Sequence, residues 1–371
     1  MKKIVAILAL ASVSAAFAQS NVSINGTFDA GYSVINSQDA TADKNEILAS
    51  PLSTSNIAFS ATEDLGGGLK AGFKGVHLFS PVSGQTLNGT TAYQTGNFFN
   101  DELWVGLESA TLGKVKLGAP NAGMFETNFV ATPYGTGLGS GYSSSGINRL
   151  LGQTTTLGVN QFTGGAAANG RVIRSEKAIR YDTPTVAGFS ANYTRSPQND
   201  NSTTATSNYN GFTDVTANYN NGNFNGAYSV AKAEAGTYVA QGAAAASALT
   251  ANSAVKYTFL AANYTVGPAT LYYGHTTGKT EGLASDKDVS SNNYGIKYAL
   301  NGTVDLQGNM VKVKDNAATG AKDQELKAIT AIYKLSKRTS TYATYQKYDT
   351  DRSSDTTGEV KQYVVGLRHA F

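Results

Sequence analysis

A period of two runs through this chain, and after the N-terminal stretch it never lengthens into a continuous apolar segment. In residues 21–35, Val22, Ile24, Gly26, Phe28, Ala30, Tyr32 and Val34 fall on one side. Ser23, Asn25, Thr27, Asp29, Gly31 and Ser33 fall on the other. Successive side chains of an extended chain point to opposite faces, so this predicts a strand with one apolar and one small, polar face. A strand of a soluble sandwich looks the same. A membrane barrel, apolar toward lipid and polar toward water, differs only in which face is turned out.

Repetition separates the two. Further strands are predicted over 52–63, 69–79, 101–109, 114–118, 173–182, 188–196, 212–220 and 224–233, then 254–266, 269–277, 292–300, 303–313, 324–335, 339–348 and 359–371. Their connections alternate. Short turns such as Asn301-Gly302, Gly267-Pro268 and Ser336-Lys337-Arg338 are followed by long polar segments near 36–51, 80–97, 119–171, 197–211, 234–253, 279–291, 314–323 and 349–358. Short turns at one rim and long loops at the other are the layout of an outer-membrane barrel, and the count is about sixteen, an even number. The reading is therefore all-β: a transmembrane antiparallel β-barrel in one domain. Composition agrees, with 40 Gly and 21 Tyr to supply turns and interfacial girdles. Mean hydropathy is only −0.24 because alternate residues face water. The Ala-rich stretch 241–251 reads as a tolerant surface insertion.

Residues 1–18 read as a signal peptide. Lys2 and Lys3 precede an apolar run over 4–17, and Ala16-Phe17-Ala18 has the small-x-small cleavage pattern, leaving a barrel domain over 19–371. The chain has no cysteine, which removes disulfides, thiol chemistry and cysteine-based zinc sites. His77, His275 and His369 are isolated on different strands, so no metal or cofactor is expected. The formal net charge of +3 falls to about +1 without Lys2 and Lys3, too little for a nucleic-acid surface. Residues 135–141 resemble a nucleotide loop only in their glycines: no Lys-Ser/Thr follows. No nucleophile motif stands out, and no enzyme is expected.

The segment 119–171 breaks the alternation with Gly, Ser, Thr and Asn, including Gly135-Thr-Gly-Leu-Gly-Ser-Gly141. Loops this long are functional or disordered. Either it folds inward and narrows the barrel, or it is a surface loop. Glu126 is its only acid, and Arg149 and Arg171 its only bases.

Several spaced motifs resemble the general, trimeric porins of Gram-negative outer membranes, most closely their betaproteobacterial branch. Thr62-Glu-Asp-Leu-Gly-Gly-Gly-Leu-Lys-Ala71 is similar to the turn between the second and third strands. Leu103-Trp-Val-Gly-Leu107 with Leu112-Gly-Lys-Val-Lys-Leu-Gly118 resembles the hairpin before the constriction loop, and the run from Arg174 to Tyr193 the strand pair after it. Tyr333-Lys-Leu-Ser-Lys-Arg-Thr339 and Gly366-Leu-Arg-His-Ala-Phe371 complete the set, which spans essentially the whole chain after residue 18. The resemblance implies a homotrimer of sixteen-stranded, water-filled barrels among outer-membrane lipid and lipopolysaccharide, with 119–171 as the inward third loop. It also implies that Phe371, with Leu367 and Tyr363 on the same face, forms part of the signal read by the barrel-assembly machinery.

Such a channel passes small hydrophilic solutes and ions by passive diffusion, and charges at its narrowing bias which ions enter. On alternation Arg174, Glu176 and Arg180 share a face opposite Ile179 and Tyr181, and are expected to line the lumen. Lys74, Asp29, Glu126 and Arg149 are further candidates for the pore lining or constriction. Where the family often has arginine, this chain has Asn56, Asp101 and Ala119, so any anion preference should be weak. The competing reading is a surface β protein for adhesion or envelope structure, with the barrel as its anchor.

Overall fold

Closure of the wall rests on β1 (Asn21–Ser37). Its neighbour on one side is β17 (Glu359–Ala370), antiparallel from Thr27↔Ala370 to Ser37↔Val360. At the seam the chain's last residue joins the ladder, Gly26 N–H donating to the Phe371 carbonyl (3.1 Å) and Phe371 N–H to the Gly26 carbonyl (3.0 Å). In hydrocarbon no water can satisfy an open strand edge, so this seam is a condition of the fold. A computed structural model describes residues 21–37, 43–85, 98–140, 177–197, 211–234, 254–281, 288–315, 323–350 and 359–371. The expected signal peptide 1–18, Arg149, Arg174, Glu176, residues 141–171 of the expected constriction loop and the Ala-rich stretch 241–251 lie outside them.

Between the seam strands the wall proceeds in chain order. It comprises β2 (Lys44–Ala49), β3 (Asn56–Gly66), β4 (Leu69–Leu78), β5 (Leu103–Ser109), β6 (Gly113–Ala119), β7 (Ala178–Asp182), β8 (Phe189–Ser196) and β9 (Phe212–Asn220), then β10 (Phe224–Glu234), β11 (Ala254–Val266), β12 (Ala269–Glu281), β13 (Asp288–Ala299), β14 (Val304–Asp315), β15 (Gln324–Lys334) and β16 (Thr339–Thr350). All pairings are antiparallel. These seventeen segments make sixteen wall positions, because β2 and β3 share the second, pairing with the upper and lower halves of β1.

The second wall position corrects the sequence reading. Residues 36–51 were expected as a loop and 52–63 as the strand. Instead Lys44–Ala49 is already in the ladder, and 50–55 leave it. Lys44 and Glu46 hide β2 from an apolar-alternation test, but the neighbouring edge of β1 supplies its backbone bonds whatever the side chains are. For the same reason the strands run past the predicted loop limits at Glu281, Asp288, Asp315 and Thr350. The strand expected over 173–182 is described from Ala178, after Lys177 at φ 54°.

Burial along the strands is inverted relative to a soluble core. Val22, Ile24, Val105, Leu117, Val215, Leu260, Ile329 and Val365 are exposed, while Ser33, Asp214, Thr216, Ser229, Asn293 and Thr330 are buried. An apolar outer face is favourable only against lipid, at roughly 25 cal/mol for each Å² removed from water. One sector departs from the expected small, polar inner face. Phe212, Tyr257, Phe259, Val289, Val311, Val313 and Leu326 point inward and form a single apolar cluster with Ala122, Met124, Ala131 and Tyr134 of the segment after β6. Being buried in this cluster, these side chains do not have their polarity set by water.

Candidate functional site

The segment after β6 is bound to the inner wall along its described length. It opens with α1 (Gly123–Ala131), which has extended Ala122 at its N-cap and no side-chain cap of its own. Four N–H groups at a helix start need outside acceptors. Asp214 of β9 supplies two, its carboxylate accepting from Gly123 N–H (2.9 Å) and Met124 N–H (3.1 Å). Contact at this point requires glycine: a Cβ on residue 123 would lie 2.1 Å from Asn192 Oδ1 and 2.3 Å from Thr216 Oγ1.

Beyond this point β10, β11, β13 and β14 each offer an inward polar side chain. The Thr127 hydroxyl meets Ser229 of β10 at 2.6 Å. Asn263 of β11 donates to the Val130 carbonyl (3.1 Å), and Asn293 of β13 to that of Ala131. Those two amides stand in for the missing C-cap, since Thr132 is extended. Tyr134 donates to the Gln307 carbonyl (3.1 Å), and Asn309 of β14 to that of Gly139 (2.8 Å). Burial raises the Tyr134 phenol above the ordinary tyrosine range. Farther on, Leu138 N–H donates to the Pro51 carbonyl (2.7 Å), and the Thr136 and Thr54 hydroxyls lie 3.1 Å apart.

A chain of paired charges crosses β4–β7 and α1. Arg180 of β7 holds Glu126 through two parallel bonds (2.9 and 2.7 Å) and donates from Nε to Asp182 (2.8 Å). A further bond reaches the Asn121 carbonyl at 2.5 Å. Bidentate guanidinium–carboxylate geometry is the strong form of this contact. Lys116 meets the other oxygen of Asp182 at 3.0 Å, and Lys114 meets Glu108 at 3.1 Å. Both ammonium groups lie over the ring of Trp104, 5.4 and 4.5 Å from its centroid. Trp104 Nε1 donates to Glu102 (2.7 Å), whose other oxygen takes Lys74 at 2.7 Å and Asn121 at 3.3 Å. The paired groups number four cations (Lys74, Lys114, Lys116, Arg180) and four anions (Glu102, Glu108, Glu126, Asp182), and so balance. Near the short-turn rim Asp305 bridges Lys334 (2.7 Å) and Lys297 (3.4 Å).

The sequence profile of the Gram-negative porin family matches residues 5–353. The chain belongs to that family. Outer membrane porin protein 32 of Delftia acidovorans is 31% identical over 192 residues. That match covers 52% of this porin and 48% of the relative, so the chain spans about half the length of the curated relative it matches. Among solved structures, an anion-selective porin from Comamonas acidovorans superimposes with a TM-score of 0.73 at 20% identity, over 95% of this chain and 100% of that one. A loop-deletion mutant of OmpT from Vibrio cholerae gives 0.66 at 13% identity, over 95% and 99%. At those identities the likeness speaks for the fold, a closed sixteen-stranded antiparallel barrel. Family and fold point to a channel rather than an enzyme, and to the Gram-negative outer membrane.

Of the expected pore residues, the porin brings together Arg180 and Glu126, which face each other as an ion pair. Lys74 is inward and paired with Glu102. Asp29 is inward but buried, bonded to the Leu52 and Ser53 N–H groups (2.6 Å each) and to the Tyr342 hydroxyl (2.6 Å). Tyr363, Leu367 and Phe371 lie on the outer face of the last strand, as alternation predicts. Tyr345 lies against Tyr363 there, the rings tilted by 40° at 5.0 Å between centroids. His77, His275 and His369 also fall on outer faces, on three separate strands. Sequence reasoning missed Glu102, Asp182, Lys116 and Asp214. A local signal existed for Asp182 and Lys116, which share parity with Arg180 and with Gly118. Asp214 was detectable as the lone acid of its strand.

Proposed function

We propose that this porin is a passive diffusion channel for small hydrophilic solutes and ions, and that residues 119–171 form its constriction. The observation carrying the reading is the attachment of residues 121–139 across the inner faces of β9–β14 within a closed wall. A segment held there reduces the open cross-section, and the paired charges of β4–β7 border what remains.

The channel is weakly anion-selective. Lys74, Lys297 and Lys334 are the more exposed members of their ion pairs (38, 41 and 40%, against 8% for Glu102 and 6% for Asp305), so passing ions meet the amine first. Glu126, at 44% against 4% for Arg180, opposes them and keeps the bias small. Arg149, Arg174 and Glu176 remain part of the proposed pore lining. The functional unit is a homotrimer among outer-membrane lipid and lipopolysaccharide, and the barrel-assembly machinery recognises the face carrying Tyr363, Leu367 and Phe371. The relative from Comamonas acidovorans, described as anion-selective, supports the sign of the preference.

Single-channel recording of the purified protein in a planar bilayer tests this, with reversal potential measured under a salt gradient. Threefold stepwise openings and a small anion-side potential are expected. A cation-side value would remove the selectivity, and no conductance from folded protein would favour an adhesive or structural role.

A further inference from the structure

The second wall position is interrupted in an unusual way. Three residue steps carry β1 from Thr27 to Ala30, but seven carry the partner from Ala49 to Asn56, which adds four residues opposite Asp29. Four is even, so inside and outside keep their alternation on both sides of the break. The surplus chain, residues 50–55, turns inward. Ser50 takes φ 62°, a left-handed conformation uncommon for serine, and Pro51 packs where a Cβ on inward Gly31 would be, 3.1 Å away.

Asp29 organises this excursion with every polar group it has. Its N–H donates to the Ser55 hydroxyl (3.0 Å) and its carbonyl accepts from Ser50 N–H (2.7 Å), replacing the lost ladder bonds. One carboxylate oxygen takes the Leu52 and Ser53 N–H groups, and the other takes Tyr342 from β16. Arg368 of β17 adds a bond to the Ser53 hydroxyl (2.8 Å). What the excursion presents to the interior is the Pro51 carbonyl and the Thr54 hydroxyl, the groups that receive Leu138 and Thr136. The fit is close, since a Cβ on Gly137 would lie 2.3 Å from the Leu52 carbonyl oxygen.

We infer that the strand break is a dock for residues 136–138 of the proposed constriction segment, and that Asp29 is the positioning residue that sets it. Besides the contacts of α1 and of residues 134 and 139 with β9–β14, residues 136–138 are then held by the excursion that Asp29 shapes. The size and steadiness of the opening depend on this attachment as much as on the charges beside it. This inference rests on the channel reading above.

Two readouts on the full-length protein test it. The chain contains no cysteine, so Thr54→Cys with Thr136→Cys introduces one unambiguous pair. In otherwise unaltered folded protein this pair should oxidise readily. Asp29→Asn weakens hydrogen bonds to a charged group, which shifts docking on the order of ten- to a hundred-fold. Disulfide formation should slow accordingly, and single channels of Asp29→Asn should spend correspondingly more time in altered sublevels. Oxidising the cysteine pair in that background should restore a quiet trace. Where Asp29→Asn does not assemble, Tyr342→Phe removes one bond to the same carboxylate and is read in the same way. Unchanged oxidation rate and unchanged noise in a conducting, folded variant would overturn the inference. A silent wild type would overturn the channel reading alone, and the oxidation rates would still decide whether Asp29 sets the dock.

Discussion

Glu126→Gln removes the exposed half of the Arg180 pair without changing its shape. Arg180 keeps Asp182 at 2.6 Å, but Asp182 also serves Lys116, so the balanced cluster gains one net positive charge. At about 6 Å in a water-filled passage a unit charge is worth about 0.7 kcal/mol. Screening at 0.1 M salt, with a Debye length of about 10 Å, reduces this to about 0.4 kcal/mol, and at 1 M to about 0.1 kcal/mol. The smaller figure for 0.1 M doubles local anions and halves cations. The anion-to-cation permeability ratio should therefore rise roughly four-fold at 0.1 M and only about 1.4-fold at 1 M. Reversal potentials of single channels at both salt concentrations measure it. No shift at 0.1 M would mean that Glu126 does not border the ion path. A shift toward cations, or one equally large at 1 M, would refute the electrostatic argument itself.

Asp214→Ala leaves two N–H groups of α1 without acceptors and should weaken attachment by about 1–3 kcal/mol, while the wall keeps all its ladders. Faster proteolytic cutting within 121–140, with an unchanged unfolding transition of the barrel, is the expected result. Gly26→Ala sets a Cβ 2.2 Å from the Phe371 ring at the closing seam and should cost about 1–3 kcal/mol. Folding yield, read by heat-modifiable gel mobility, should fall, whereas Gly302→Ala, with open space around it, should fold normally. Val365→Arg puts a charge on the exposed outer face of β17 and should destabilise the barrel in lipid vesicles by about 2–4 kcal/mol in denaturant titrations.

Much of the wall was legible in advance because its code is local. Lipid and water lie on opposite sides of every strand, so Val22, Leu117 or Val365 declares its face through its immediate neighbours. Closure was legible for a related reason: hydrocarbon forbids an open edge, so the first and last strands had to meet. Residues Lys44–Ala49 were not legible, because their pairing is carried by backbone groups that every sequence possesses.

The candidate site divides along the same line. Sequence alone set Arg180 and Asp29 on the polar faces of their strands, made Lys74 a candidate by the same alternation, and gave the long segment one acid, Glu126. Only the tertiary structure decided that Arg180 meets Glu126, that Lys74 meets Glu102, and that Asp29 is spent on holding a strand break instead of lining open water. It also decided that inward apolar side chains such as Tyr257 and Phe259 cluster with Ala122, Met124, Ala131 and Tyr134, among the polar groups that hold α1. The physical reason is range. A strand's faces repeat every two residues and follow from the residue itself. Which charge finds which partner depends on ladder register and on how the inward segment is draped, and those join residues such as Asp29 and Tyr342 that lie far apart in the chain.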